Sequence, residues 1–156
     1  MGRDGFKNNS KVSNKKQEIN RVYQMHSDPI ADMLTRIRNA GKARLNYTNI
    51  KKSKICLGIA KVLQNEGYIT GFETMDDSTG QGLIRVELKF TLDGMPAITE
   101  IKRISKAGRR LYSSVDKLPH IMNGMGIAIV TTNKGIMTDG QCRKDNVSGE
   151  ILCTVC

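Results

Sequence analysis

Gly126-Ile127-Ala128-Ile129-Val130-Thr131-Thr132-Asn133-Lys134-Gly135-Ile136-Met137-Thr138-Asp139 is the stretch on which the reading of this chain turns. A continuous apolar strand, Ile127 to Val130, runs straight into a polar corner of two threonines, an asparagine, a lysine and a glycine. A rigid strand therefore presents short hydrogen-bonding side chains beside one cation and a permissive backbone. Such a corner suits the reading of a base edge and its phosphate in folded RNA. It suits bond-making chemistry poorly, because no general base, nucleophile or metal ligand stands next to it. The competing structural reading is a β-corner whose Thr and Asn side chains satisfy the amides of their own turn.

Bulk composition points the same way. The 156 residues carry 25 Lys+Arg against 15 Asp+Glu, a formal net charge of +10 that favours a polyanionic partner through counterion release. That length serves one compact domain or two small ones sharing an interface. No apolar run approaches the roughly 20 residues needed to span a bilayer. With no Trp, three Phe and four Tyr, the chain is poor in the aromatics that stack single-stranded bases, so structured RNA is the better fit. Cysteines at 56, 142, 153 and 156 lack the dense spacing of a secreted disulfide scaffold, and no signal peptide core is present. A reducing compartment is the default.

Outward from the corner, a short helix is expected after Thr138 and a closing strand over Glu150 to Val155. Upstream, Leu118-Pro119 and Asn123-Gly124-Met125-Gly126 frame an irregular connection, and Gly124-Met125-Gly126 reads as a hinge before a strand rather than a dinucleotide fingerprint. Ile98 to Ile104 reads as a strand marked by Ile98, Ile101 and Ile104. The basic turn Ser105-Lys106-Ala107-Gly108-Arg109-Arg110 leads from it into Leu111-Tyr112. Asp93-Gly94-Met95-Pro96 is the boundary between halves.

Before that boundary the pattern is α-β-α-β-β. Asp28 caps a helix with Pro29 at its first position, and Ile30, Met33, Leu34 and Ile37 form a buried stripe. Gly41 is the stop. Tyr47 to Ile50 is a short strand. Ser53 caps a second helix with Ile55, Ile59, Val62 and Leu63 on one face and Gly67 as its C′ glycine. Gly58 costs this helix about 1 kcal/mol against Ala, which close packing against a neighbour explains. Strands Ile69 to Met75 and Leu83 to Phe90 flank the turn Asp76-Asp77-Ser78-Thr79-Gly80; the second alternates Ile84, Val86, Leu88 and Phe90 inward with Arg85, Glu87 and Lys89 outward.

The expected class is therefore α+β in two small domains, residues 27–94 and 95–156, the second mostly β with a short helix. Residues 1–26, dominated by Lys, Asn and Ser, bury too little to offset ordering entropy and read as a disordered basic extension. A targeting segment, an arm folding onto RNA and an upstream start before Met25 are its three readings.

Three further groups are candidates for RNA contact. Arg109 and Arg110 can clamp phosphates while Tyr112 stacks on a sugar or base; the alternative is a half-buried tyrosine between sheets. Ser53 and Lys54, with Lys51 and Lys52, crowd a helix N-terminus that attracts phosphate; a plain N-cap with solvated lysines is the rival view. Arg36, Arg38 and Asn39 offer contacts from the first helix. Cys153-Thr154-Val155-Cys156 invites a zinc or redox reading, but a ribbon wants a second such pair, with only Cys142, His120 and His26 at hand. Cys142 and His120 lack a third orienting group for catalysis.

The block Asp28-Pro29-Ile30-Ala31-Asp32-Met33-Leu34-Thr35-Arg36-Ile37-Arg38-Asn39-Ala40 resembles the opening helix of the universal small-subunit ribosomal protein eight family (S8/uS8) in its bacterial form. Leu118-Pro119, Gly126 to Val130, the corner through Gly135, Met137-Thr138-Asp139 and Gly149-Glu150-Ile151-Leu152-Cys153 follow in family order, and the match covers about residues 27–156. This resemblance implies a non-enzymatic structural constituent of the small ribosomal subunit, without cofactor or small-molecule substrate, made of two α+β domains with a tight interface. It implies direct, early binding to the central domain of 16S-type rRNA, with neighbouring small-subunit proteins as further partners and the ribosome as location, in a bacterial cytoplasm or an organelle matrix. The family's corner reads Ser-Thr-Ser-x-Gly and recognises an irregular helix core with an unpaired adenine; here Thr131, Thr132 and Asn133 stand at those positions, then Lys134 and Gly135. Ala107 stands where the family's basic turn usually has proline, and Thr154 and Cys156 lie where aromatics are common. A free regulatory RNA binder acting on mRNA is the first rival, and a small metal- or thiol-dependent protein the second.

Overall fold

The computed structural model describes residues 28–156, so the readings of the basic extension and of His26 lie outside the described residues. Helix α1 (Pro29–Lys42) starts where its sequence dictates: one carboxylate oxygen of Asp28 accepts from the amides of Ile30 and Ala31 at 3.1 and 3.2 Å. Strand β1 (Tyr47–Lys51), helix α2 (Lys54–Asn65), and strands β2 (Ile69–Met75) and β3 (Leu83–Leu88) complete the first half. The three strands form an antiparallel sheet in the order β1-β3-β2.

The second half holds β4 (Ile101–Arg103), β5 (Tyr112–Ser113), β6 (Ile127–Thr132), β7 (Gly135–Thr138), helix α3 (Asp139–Asp145) and β8 (Gly149–Val155). The sheet runs β4-β8-β6-β7, and β5 pairs β8 at Glu150 and Gly149. Both sheets with the three helices make the class α+β.

Helices α1 and α2 lie between the two sheets. Helix α1 contacts β1 and β4, while α2 contacts β2 and β7. The main apolar core therefore runs without a break from Ile50, Ile84 and Val86 through Met33, Leu34, Ile59 and Leu63 to Ile101, Ile129, Leu152 and Val155. A smaller core, Leu118, Ala128, Val130, Cys142 and Ile151, lies on the far face of the second sheet. A bulge in the β6–β8 register between Ile129 and Val130 shifts the pairing there.

Several expectations need correction. Gly41 is not the stop of α1: it is helical and buried near Pro96, and the turn-off comes three residues on, at Arg44, whose φ is 55°. The Arg44 amide donates to Gly41 O and the Leu45 amide to Ala40 O, a Schellman closure with arginine in the left-handed position. Helix α2 ends in the same closure, with Gly67 there at φ 78°. Ile55 is exposed; the buried face is Cys56, Ile59, Ala60, Val62 and Leu63. The strand expected over Ile98 to Ile104 is only three residues long, because the amides of Thr99 and Glu100 both turn to the Cys156 carbonyl. Phe90 lies beyond β3 and forms an isolated bridge to Pro96. The residues after the polar corner, where the sequence suggests no strand, form β7, and the corner is the tip of a β6–β7 hairpin.

Candidate nucleic-acid interface

The hairpin tip is built by its own side chains. Thr132 and Gly135 are register partners, leaving Asn133 and Lys134 as the exposed turn, and Gly135 adopts φ 116°, a backbone that glycine takes without a Cβ clash. The Thr132 hydroxyl donates to the Gly135 carbonyl at 2.9 Å and accepts from the Lys134 amide at 3.1 Å. Thr132 therefore braces the turn. Its donor is spent internally, whereas Asn133 and Lys134 present their side chains to solvent.

Thr131 belongs to a transverse row. It pairs with Ile136 on one side and Glu150 on the other, and Glu150 pairs in turn with Tyr112. Register partners in antiparallel strands share a sheet face, so the row Tyr112–Glu150–Thr131–Ile136 lines up across four strands. Tyr112 is 73% exposed. Gly149, beside Glu150, has no room for a Cβ, which would run into the Thr131 carbonyl, and this close approach locks β8 against β6 at the row.

Glu150 is the organising residue of the row. Its Oε1 accepts from the Ser105 hydroxyl at 2.5 Å and from Arg110 Nη1 at 3.0 Å. The Leu111 amide donates to Ser105 Oγ at 3.2 Å, which fixes the departure of the basic turn. Lys106 and Arg109 exchange both backbone hydrogen bonds at 3.0 Å, so Ala107 and Gly108 form a two-residue turn and Arg109 stands free at its rim. Burial by itself would raise the Glu150 pKa, but the Ser105 hydroxyl and the Arg110 guanidinium hold the carboxyl below its usual range. The ionised Glu150 thus aims Arg110 beside Tyr112. Neither Glu150 nor Ser105 was among the sequence candidates; a lone carboxylate inside the apolar run Gly149 to Val155 was the available signal.

Helix α2 approaches the same region from the first half. Gly58 lies under Ile136: a Cβ there would stand 2.5 Å from Ile136 Cδ1. The N-cap Ser53 accepts from the Cys56 amide at 3.1 Å, and Lys54 is exposed in the first turn. Five residues of helix, about 7.5 Å of axial rise, separate Ser53 from that contact. The structure therefore gathers Thr131, Asn133, Lys134, Gly135, Arg109, Arg110 and Tyr112 at one end of the second sheet, with Ser53 and Lys54 nearby. It does not bring the α1 candidates there. Arg36 pairs with Asp32 at 3.0 Å, Arg38 donates to the Ile101 carbonyl at 2.5 Å near the other end of β8, and Asn39 is exposed one residue further on.

The cysteines do not assemble a site. Cys56, Cys142 and Cys153 are buried and Cys156 is half-buried. Burial pushes the Cys153 thiol up to about 12. Among the described residues no three His, Cys, Asp or Glu side chains converge as metal ligands, and no helix is long and apolar enough to cross a membrane.

Fold and site together define a small α+β protein with hydroxyl, amide and cationic groups gathered at one end of its second sheet. Residues 28–156 match the family described as ribosomal protein S8, and the chain belongs to that family. It is similar to small ribosomal subunit protein uS8 of Caldicellulosiruptor bescii, 52% identical over 128 residues, covering 82% of this chain and 96% of the relative. It is also similar to uS8 of Geobacter sulfurreducens, 50% identical over 129 residues (83% and 97%), and of Thermodesulfovibrio yellowstonii, 47% over 131 residues (84% and 99%).

Proposed function

We propose that this chain is a structural constituent of the small ribosomal subunit and binds the central domain of 16S-type rRNA directly, supporting subunit assembly. The observation that carries this reading is the row Tyr112–Glu150–Thr131 with Arg110 held beside it, in a chain whose whole described length matches ribosomal protein S8. RNA exposes base edges where its helices are irregular, and short hydroxyl and amide side chains reach such edges while arginines hold phosphate. Thr131 and Asn133 read the base, Gly135 allows close approach, and Lys134, Arg109 and Arg110 hold the backbone. Tyr112 stacks on an exposed sugar or base. Ser53 and Lys54 add a phosphate contact at the start of α2; Arg36, Arg38 and Asn39 belong to a separate contact.

The function needs no catalytic group, cofactor or small molecule. Residues 27–94 and 95–156 act as two domains on one shared core, and residues 1–26 as an appended basic segment. The ribosome is the site of action, in a bacterial cytoplasm or an organelle matrix. Chemical footprinting of naked small-subunit rRNA with the purified full chain tests the reading. Protection of one irregular helix in the central domain is expected; protection nowhere in that domain contradicts it. Co-sedimentation with small subunits separates a ribosomal constituent from a free mRNA regulator, which stays at the top of the gradient.

A further inference from the structure

A second surface lies at the opposite end of β8 from the Tyr112–Glu150–Thr131 row. There a cleft of about 440 Å³ opens between the C-terminal part of α1, the end of β3 and the approach to β4. Ile37, Leu88, Pro96 and Ile98 contribute an apolar floor, while Arg38, Lys42, Lys89 and Lys102 supply cations to the lining. Among the described residues Glu100 is the one acid lining it, and it is already paired with Lys102 at 2.8 Å.

Apolar surface continues past both ends of the cleft. The hairpin closed by the Phe90–Pro96 bridge and by the Ala97 amide donating to Lys89 O carries Leu92, fully exposed, and Met95, also exposed. At the other end, the Tyr68 hydroxyl donates to the Met125 carbonyl at 3.3 Å. That bond joins the cleft wall to a loop where Met122 and Met125 are 62% and 84% exposed. Met122, Asn123 and Gly124 there take φ values of 49°, 54° and 90°, three successive left-handed residues that a self-contained loop rarely needs.

Charge and chemistry choose among occupants. The apolar floor offers nothing to a phosphate or a base edge, so RNA gains only the rim. A second copy, itself at +10, repeats the same cations, and the Lys-rich residues 7–16 of this chain carry the same sign. The exposed side chains at Leu92 and Met122 extend the surface beyond what a small ligand covers. We propose that this cleft docks an acidic, amphipathic segment of another protein, with its apolar side chains on the Ile37–Pro96 floor and its carboxylates against Lys42 and Lys89.

The proposal rests on the small-subunit assignment, and its test separates the two. Full-length chain with p-benzoylphenylalanine at Met95 is assembled into small subunits in cells, sedimented, irradiated and analysed by mass spectrometry; a second variant carries it at Ala107, exposed in the basic turn. The expected result is a Met95 crosslink to an Asp/Glu-rich peptide of another protein and an Ala107 crosslink to rRNA. In a Lys42→Glu/Lys89→Glu background with unchanged melting temperature, the protein crosslink should fall at least tenfold while the RNA crosslink persists. A Met95 crosslink to rRNA or to a second copy, no crosslink in sedimenting subunits, or one indifferent to charge reversal overturns the docking proposal alone. Failure of the chain to sediment with subunits overturns the assignment itself.

Discussion

Asp28 and Arg103 stand 75 residues apart in sequence, yet Asp28 Oδ2 accepts from Arg103 Nε at 3.1 Å while Oδ1 caps α1. Arg103 also donates to the Leu152 carbonyl at 2.7 Å, so one carboxylate ties the first helix to β8, the strand that carries Glu150. Removing it should release helix start and sheet together. Asp28→Ala is expected to cost about 2–3 kcal/mol, from the lost cap and the lost charged hydrogen bond. Asp28→Asn, which keeps a cap acceptor, should cost less. Urea unfolding at neutral pH checks both; an Asp28→Asn variant as stable as wild type would remove the case for the ion pair, and equal costs for the two variants would remove the case for the cap.

The same carboxylate sets a pH dependence. Burial by itself would raise the Asp28 pKa, but the Ala31 amide and Arg103 bring it below the ordinary value, as Ser105 and Arg110 do for Glu150. A depressed folded pKa means stability fully present above the unfolded carboxylate range and lost as pH falls through the folded values. Stability should therefore decline below about pH 4. In Asp28→Asn and Glu150→Gln the acid limb should be shallower, and a limb as steep as in wild type would locate the proton uptake elsewhere.

Gly58 and Ile136 mark a tight contact between α2 and the second sheet. Helix propensity favours Ala at position 58 by about 1 kcal/mol. The Cβ, however, would stand 2.5 Å from Ile136 Cδ1 and 3.2 Å from its Cβ. Gly58→Ala should therefore destabilise by about 1–3 kcal/mol, the usual range for overpacking. Ile136→Val removes Cδ1, so the double variant should be more stable than the sum of the single effects. Additive effects in that cycle would mean the two residues do not press on each other.

Thiol chemistry separates a packed C-x-x-C from a reactive one. With Cys56, Cys142 and Cys153 buried and only Cys156 half-exposed, the native chain should label fast at one cysteine and slowly at three. All four should react in denaturant. Alkylation followed by peptide mapping reads the outcome, and rapid labelling of Cys153 would contradict the packing described.

Much of this molecule was legible before the structure. Asp28-Pro29 and Ser53 announced both helix starts, because caps act through one residue and its nearest amides. The alternation in β3 placed Ile84 and Val86 correctly for the same local reason. What escaped were features set by distant partners. Gly41 reads as a stop until Pro96 is seen close by, and β4 shortens because Cys156 captures the amides of Thr99 and Glu100. At the site, the identity of the polar corner was readable, but its division of labour was not. Thr132 faces its own turn, Thr131 faces a row it shares with Glu150, and that row exists only once β5, β8 and β6 pair.

The central claim is that this row and the hairpin tip recognise one irregular element of rRNA. Its most direct measurement is the affinity of the full chain for a central-domain rRNA fragment at fixed salt, for wild type and for Thr131→Val/Asn133→Ala, whose unfolding midpoint is measured alongside. The prediction is at least a tenfold weaker specific complex, about 1.4 kcal/mol or more, with non-specific binding and midpoint unchanged. Equal affinity of the two proteins for the fragment would contradict the account.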